Sequence, residues 1–378
     1  MIKKIRLLQV IPSMGIGGAE TGCRHIADYV AEQSEFSSIL TSGGSQINLL
    51  NDKVKIFKWP VSKNIIMILI NIFFIIFLIK KNNINIVHAR SRGPAWSCLI
   101  ACKITRVKFV TTFHGTYNFN SSIKKYYNSI MVKSDKVIAG SNFILDHIKS
   151  NYETAKSVSL VRRGIDENYF DPFKVENSEK EKIRKEMGFS DQNFLVLLPG
   201  RLTNWKGQKV FIEAAHFLKM QDKLSNIFFI ILGDSQGRNS YEAELHSLIL
   251  KYKLVDKVRI IKPMKNMRLA YSFVNLVVSA SIEPEAFGRV SVEAQAMKKP
   301  ILASAIGGSV ETIIEGESGW LFKNSNVEEL AEYIYNISKK EKLELEKIGL
   351  MGRKNVCENF TKTKMCLKTL EIYQSLVY

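Results

Sequence analysis

The 378-residue sequence predicts an α/β protein made of two Rossmann-like domains. Apolar runs of strand length alternate with longer segments of helical spacing, and this rhythm stops once, at a polar stretch over 166–192, before it restarts. Strands separated by helices form parallel sheets covered on both faces, so two series of strands indicate two such sheets. The length also fits about two domains of ordinary size.

Six candidate strands precede the polar stretch: Arg6–Ile11, Ser38–Thr41, Ile84–His88, Lys108–Phe113, Lys136–Ala139 and Ser157–Val161. Six follow it: Phe194–Leu198, Ile227–Leu232, Val258–Ile261, Leu276–Ser279, Pro300–Ala303 and Gly319–Phe322. We therefore predict a first domain over 1–170, a linker region over 171–190, a second domain over 191–354 and a C-terminal helix over 355–378.

The charge of the chain is strongly positive and uneven. The net charge is +18, of which residues 1–170 carry +13 and residues 171–378 carry +5. This excess indicates an anionic partner, which could be nucleic acid, anionic lipid or a phosphorylated substrate. A lysine-rich composition that merely solvates the surface is the alternative.

The segment Ile65–Ile79 is almost entirely apolar. Fourteen of its fifteen residues are apolar, Asn71 is the exception, and Lys63 and Lys80 lie at its flanks. A spanning helix needs about 20 apolar residues, so we favour a core helix, with a membrane-surface helix as the second interpretation. The five cysteines include no C-x-x-C pair, and we predict that they are buried, reduced thiols of a cytoplasmic protein.

The first motif is a glycine-rich turn. Gly17 and Gly18 follow the first strand and precede a helical stretch. Glycines allow a close approach of the backbone to a ligand, and a helix N-terminus offers free N–H groups to an anion. Alone, this turn is as well explained by a tight strand–helix connection without a ligand.

The second motif is a pair of cations. Arg201 and Lys206 follow the strand Phe194–Leu198, at the carboxyl end where such sheets bind ligands. Two fixed cations at this place suit a diphosphate, although two solvated loop charges are the alternative.

The third motif, over 283–294, is the strongest. It follows the strand Leu276–Ser279, and Phe287 and Gly288 would begin a helix whose N–H groups can bind phosphate. Glu285 in the loop and Glu293 on the helix can accept hydrogen bonds from sugar hydroxyls. Acids that favour a helix dipole would explain Glu285, but neither the glycine nor the placement after a strand.

With 113–115, 164–166 and 307–311, these motifs resemble the retaining family 4 glycosyltransferases over nearly the whole chain. The resemblance implies the GT-B fold: two Rossmann-like domains facing across a cleft, with the C-terminal helix packing back on the first. It implies sugar transfer from a nucleotide diphosphate-sugar, without cofactor or metal. The run 283–296 looks like a bacterial branch associated with lipopolysaccharide and other envelope glycans, which implies a glycan or glycolipid acceptor.

The resemblance also assigns roles. Glu285 would contact the transferred sugar, and His114 the donor sugar or an acceptor hydroxyl, which makes them the catalytic candidates. The residues that would contact the nucleotide and its diphosphate are Gly17, Gly18, Arg201, Lys206, Phe287, Gly288, Arg289, Val290 and Glu293. One departure stands out, because Arg162-Arg163 precede Gly164 where many relatives carry Pro-Asn.

Two rival functions remain at this stage. Non-hydrolysing nucleotide-sugar epimerases share the architecture, although the Glu285 and Glu293 pair favours transfer. Nucleic-acid binding would use the positive charge, but no nucleic-acid motif is present, so we expect no nucleic-acid partner. The basic first half instead predicts peripheral binding to the anionic cytoplasmic face of the membrane.

Overall fold

The computed structural model describes residues 4–61, 64–117, 121–152, 157–237 and 239–377. The chain divides into two compact units: one runs to Gly164 and resumes at Lys362, and the other is Ile165–Thr361. The predictions for Lys63 and for the outermost residues of both termini lie outside the described residues.

The first unit is built on a seven-stranded parallel sheet. Its strands are β1 (Arg6–Val10), β2 (Phe36–Thr41), β3 (Lys55–Lys58), β4 (Ile86–Ala89), β5 (Lys108–Phe113), β6 (Lys136–Ala139) and β7 (Val158–Leu160). Its helices before the second unit are α1 (Gly18–Glu32), α2 (Ile65–Lys81), α3 (Arg92–Thr105), α4 (Ser122–Ser129) and α5 (Asn142–Asn151). The order β3-β2-β1-β4-β5-β6-β7 reverses direction between β1 and β4, which is where such sheets bind ligands.

The second unit repeats this plan with six parallel strands in the order β10-β9-β8-β11-β12-β13. The strands are β8 (Phe194–Pro199), β9 (Ile227–Leu232), β10 (Val258–Ile261), β11 (Leu276–Ser279), β12 (Ile301–Ser304) and β13 (Trp320–Phe322). The helices are α6 (Asn177–Glu186), α7 (Gln208–Met220), α8 (Asn239–Lys251), α9 (Met267–Ser272), α10 (Arg289–Ala296), α11 (Val327–Ser338) and α12 (Lys342–Asn359). The predicted fold class, two Rossmann-like α/β domains, is confirmed.

The sequence did not predict β3. Its residues read Lys-Ile-Phe-Lys, and none of the four is buried, because β3 pairs only with β2 at the edge of the sheet. Central strands are covered on both faces and read as continuous apolar runs, whereas a charged edge strand lacks that signal.

Residues 171–190, predicted as a linker region, lie within the second unit. They include α6, whose N-terminus carries a capping box formed by Glu176 and Glu179. From α6, Arg184 donates hydrogen bonds to the carbonyl oxygens of Phe273 and Asn193. These contacts attach the segment to the strand-bearing part of that unit.

The C-terminal region forms two helices rather than one. The helix α12 ends at Asn359 in the second unit, and α13 (Lys362–Val377) packs on the first unit, as predicted for the last helix. Cys366 and Tyr373 are fully buried in a cluster that also contains Ile26 and Val30 of α1. The Tyr373 hydroxyl lies 2.5 Å from Nδ1 of His88, which binds α13 to β4.

The apolar segment Ile65–Ile79 forms most of α2, which packs on α3 and buries Ile75 and Leu78. Its single polar residue is explained by a contact, since Asn71 Oδ1 accepts a hydrogen bond of 2.8 Å from the Trp59 indole. Within the residues that the structure describes, α2 and every other helix fall short of the length and apolar character that spanning a bilayer requires. Four of the five cysteines are buried, whereas Cys357 is exposed, contrary to the prediction for that residue.

Candidate functional site

The site in the second unit lies where the sheet order reverses. The strands β8 and β11 are neighbours, and both are followed by the loops that carry the second and third motifs. Because parallel strands end at the same edge of a sheet, the two loops meet there. Arg201 and Lys206 come from the first loop, and Glu285 from the second.

Lys206 and Glu285 form a buried ion pair. The Lys206 ammonium donates to Glu285 Oε1 at 2.7 Å, and both side chains are about nine-tenths buried. Ser281 Oγ donates to the same carboxylate oxygen at 2.5 Å. The ammonium also lies over the Trp205 ring, 4.4 Å from its centroid. The cation is therefore fixed in place before any ligand arrives.

Two glycines let the backbones approach closely at this site. Gly207 has a φ of +73°, and a Cβ there would lie 1.8 Å from the carbonyl oxygen of Ala280. Gly288 has a φ of +82°, and a Cβ there would lie 2.8 Å from the Cα of Ser309. Side chains rarely adopt this region of φ, so glycine meets both requirements at once.

The helix α10 begins directly after Gly288, close to the predicted start. Glu293, on its second turn, is buried and accepts a hydrogen bond of 2.8 Å from the Tyr271 hydroxyl. Its other carboxylate oxygen accepts from Nε of Arg289. Burial, together with the Glu293 charge, raises the pKa of Tyr271 well above its usual range, so this hydroxyl remains a donor.

The remaining predicted residues of this unit divide by exposure. Arg201 is exposed, and its carbonyl oxygen accepts a hydrogen bond from Gln208. The Phe287 side chain belongs to the apolar core and packs against Phe360, so only its backbone can serve a ligand. Val290 is partly buried against the same core.

In the first unit, His114 follows β5 and is held by Arg163. The Arg163 guanidinium donates to Nδ1 of His114, which places the imidazole proton on Nε2. That Nε2 is buried and has no hydrogen-bond partner among the described residues. The same guanidinium donates to the carbonyl oxygen of Gly18 at 2.9 Å, so it connects His114 with the start of α1.

The structure thus brings the predicted residues into two groups, one in each unit. Gly17, Gly18 and His114 lie in the first unit, and the other predicted residues lie in the second. Sequence reasoning did not assign roles to Tyr271, Ser281 or Arg163. Tyr271 lies in a short helix without a motif, whereas Arg163 had a signal, its departure from the usual Pro-Asn.

Comparisons with known proteins identify the family and the fold. Residues 16–169 match the model described as Glycosyltransferase Family 4, and residues 179–354 match Glycosyl transferases group 1. The crystal structure of a glycosyltransferase from Rickettsia africae is 36% identical, with 99% of each chain covered and a TM-score of 0.89. Anabaena HepE, solved with UDP and glucose, has the same fold at 23% identity and a TM-score of 0.84, covering 98% of this chain and all of HepE.

Two further relatives have a lower sequence identity than the Rickettsia africae protein. Spore coat protein SA of Bacillus subtilis is 26% identical over 78% of this chain and 80% of its own length. The capsular polysaccharide glycosyltransferase CapM of Staphylococcus aureus is 26% identical over 57% of this chain and 54% of its own length. The chain belongs to the family 4 type of GT-B glycosyltransferases.

Proposed function

We propose that this protein is a retaining glycosyltransferase that moves a sugar from a nucleotide diphosphate-sugar to an envelope glycan, such as lipopolysaccharide core or another lipid-linked saccharide. The observation that carries the proposal is the buried Lys206–Glu285 pair at the reversal point of the second sheet. It offers one cation for a diphosphate and one carboxylate for sugar hydroxyls. UDP in the HepE structure and the capsular role of CapM support the donor and acceptor classes.

The chemistry follows from the charges. The bond between the anomeric carbon and the leaving diphosphate oxygen breaks, which leaves negative charge on the diphosphate and positive charge on the sugar. Arg201, Lys206 and the first N–H groups of α10 would stabilise the diphosphate, so the proposal needs no metal. The acceptor hydroxyl attacks the sugar from the face that the diphosphate leaves, so the anomeric configuration is retained. The proton of the hydroxyl passes to the leaving phosphate.

The other residues take the supporting roles. Glu293 would bind the ribose, with Tyr271 and Arg289 fixing its carboxylate. The backbone from Phe287 to Val290 would contact the diphosphate. In the first unit, Gly17 and Gly18 would approach the donor phosphates, and Nε2 of His114 would donate to a sugar or acceptor hydroxyl.

A thermal-shift panel of nucleotide diphosphate-sugars tests the donor class. We expect one donor to raise the melting temperature of the wild type and to have a much smaller effect on Lys206→Met. The control is Lys209→Met, which removes a partly exposed lysine that pairs with Glu244. NMR of the product would show the anomeric configuration, and turnover in EDTA would test the metal. A panel without any shift, or an inverted product, would refute the assignment.

We further propose that the enzyme works at the cytoplasmic face of an anionic membrane, through α2. Its outward face carries large exposed apolar side chains at helical spacing: Ile66, Leu69, Ile70, Phe73 and Phe77. Phe73 is the most exposed of the five, at 74%. The segment Lys53–Ser134, which contains α2, has fourteen Lys and Arg residues and no Asp or Glu. An apolar stripe in an acid-free, basic segment complements an anionic lipid surface better than a protein partner of mixed charge.

Liposome flotation tests this surface. Burial of a Phe side chain contributes about 1.5–3 kcal/mol, and each basic residue near the membrane about 1 kcal/mol. We therefore expect Phe73→Ser to reduce recovery with anionic vesicles more than tenfold, and salt to reverse binding of the wild type. The control is Leu343→Ser, which removes an equally exposed apolar side chain from the second unit. Equal recovery with neutral vesicles, or unchanged binding of Phe73→Ser, would contradict the proposal.

A further inference from the structure

Arg90 is a buried cation with no partner for most of its guanidinium. It follows β4, and its backbone N–H donates to the carbonyl oxygen of Val10 at 2.9 Å. The side chain is only 4% exposed, yet its Nε and Nη1 have no hydrogen-bond partner among the described residues. A guanidinium stays charged in proteins, and burial of an uncompensated charge is strongly unfavourable.

Two partly buried arginines of the chain show what a structural role requires. Arg353 donates to the carbonyl oxygens of Phe170 and Ala296. Arg184 donates to three carbonyl oxygens of its own unit. Arg90 makes no such side-chain hydrogen bond and no ion pair within the described residues. Its place in the fold is therefore not explained by the packing around it.

Arg90 lies against a glycine face of α1. A Cβ at Gly22 would lie 3.0 Å from Nη2 of Arg90, and a Cβ at Gly18 would lie 3.3 Å from Nη1 of Arg163. Gly18 and Gly22 are one turn apart, about 6 Å along the helix axis, so they share one face. Two guanidinium groups thus line the first turns of α1, and a side chain at either glycine would press against one of them.

The electrostatics of this place call for an anion. The N-terminus of a helix is its positive end, so two cations there raise an already positive potential. The carboxylate of Glu20 folds over Gly17 and forms no ion pair with Arg90. The unpaired Nε2 of His114, positioned by Arg163, adds a third donor at the same edge of the sheet.

We propose that Arg90, together with Arg163 and the first turns of α1, forms a site in the first unit for a phosphate-class oxyanion. Under the proposed function on which this identification rests, the oxyanion is either the donor diphosphate or a phosphate group of the acceptor. The planar guanidinium of Arg90 offers two parallel N–H groups, which match phosphate oxygens. The site also gives a role to Arg163, one of the two arginines that replace the usual Pro-Asn.

Calorimetric titration of the full-length protein with inorganic pyrophosphate tests the site directly. We expect Arg90→Met to weaken pyrophosphate binding by at least about tenfold, since two charge-assisted hydrogen bonds are lost. Gly22→Ala keeps the charge but displaces the guanidinium, and should weaken binding as well. Arg106→Gln, a loss of the same charge elsewhere in the first unit, should leave binding unchanged. This readout does not depend on sugar transfer, so it can succeed even if the proposed function fails.

The melting temperature of the ligand-free variants separates a binding arginine from a structural one. Removal of an unpaired buried charge should leave the melting temperature of Arg90→Met unchanged or raised, whereas Arg353→Met should lower it. A lowered melting temperature of Arg90→Met with unchanged pyrophosphate affinity would overturn the proposal.

Titration with UDP identifies the source of the anion. If the site holds the donor diphosphate, Arg90→Met weakens UDP and pyrophosphate in parallel. If the site holds an acceptor phosphate, Arg90→Met leaves the affinity for UDP unchanged. In that case, the wild type binds inorganic phosphate in the presence of saturating UDP, and Arg90→Met does not. Unchanged affinity for all three probes would overturn the site.

Discussion

Replacement of Glu285 by Gln separates the structural role of the Lys206–Glu285 pair from its role in catalysis. The carboxylate accepts hydrogen bonds from Lys206 at 2.7 Å and from Ser281 at 2.5 Å, and both charged side chains are about nine-tenths buried. Glutamine has nearly the same shape and keeps one oxygen acceptor. Glu285→Gln therefore removes the charge and little else.

The magnitude follows from the burial of the pair. Hydrogen bonds to charged groups contribute about 1.5–3 kcal/mol net, and neutral ones about 0.5–1.5 kcal/mol. We expect Glu285→Gln to lower the free energy of unfolding by about 1–2 kcal/mol, and Glu285→Ala by about 3–5 kcal/mol, because Ala leaves a buried ammonium without a partner. Affinity for the nucleotide diphosphate should persist, since the carboxylate faces the sugar in the proposed function, whereas turnover should be lost.

Urea unfolding of Glu285→Gln, Lys206→Met and the double variant measures the coupling. The double variant should lose clearly less stability than the sum of the single variants. The partly exposed Lys209–Glu244 pair, with an N–O distance of 2.6 Å, is the matched control, and Glu244→Gln should change stability by less than about 1 kcal/mol. Additive losses at the buried pair, or a parallel loss of nucleotide affinity and turnover in Glu285→Gln, would refute the reasoning.

Three further predictions concern the donor site, the pH dependence and the glycine turn. Arg201→Ala and Glu293→Ala should each abolish donor binding in calorimetry, while the circular dichroism spectrum remains that of the wild type; unchanged affinity in both would remove the donor-site assignment. Burial lowers the pKa of His88 well below 6.5. As the pH drops below 6.5, His88 therefore takes up a proton in the unfolded chain but not in the folded one. The free energy of unfolding should then fall by up to about 1.4 kcal/mol per pH unit. Urea unfolding at several pH values should show a shallower slope for His88→Gln, and identical slopes would contradict the assignment. Gly207→Ala should destabilise the protein by more than about 2 kcal/mol, because its Cβ would meet the Ala280 carbonyl. The control is Gly188→Ala, since Gly188 has a similar φ and open space around it. This variant should show only the backbone strain of about 1 kcal/mol. Equal losses of stability in the two glycine variants would argue against the close backbone contact.

The fold was predictable because buried parallel strands leave an apolar signal that needs no tertiary information. The edge strand β3 lacks that signal, since its residues meet solvent. The loop glycines and the Lys206 and Glu285 positions were predictable as a motif in sequence. Their mutual contact joins residues 79 positions apart, and no local pattern encodes the distance.

Other features depended wholly on tertiary contacts. Tyr271 reaches Glu293 from a six-residue helix with no motif of its own. Arg90 reads as an ordinary strand-end arginine until its burial and its missing partners are seen. The alternatives for Ile65–Ile79, a core helix or a surface helix, could not be separated in sequence, because α2 buries one face and exposes apolar residues on the other.

The return of α13 to the first unit makes the second unit an insertion within the first. The two ends of the inserted unit are adjacent, since Ile165 pairs with Thr361 and its N–H donates to the Phe360 carbonyl at 2.9 Å. If the second unit were removed and Gly164 joined to Lys362 by a few residues, Tyr373 could still contact His88 of β4. A fragment that ends at Gly164 would instead lack α13 and leave the apolar face of α1 uncovered. During ribosomal synthesis, the second unit can therefore complete its sheet before α13, the last helix of the first unit, has been made.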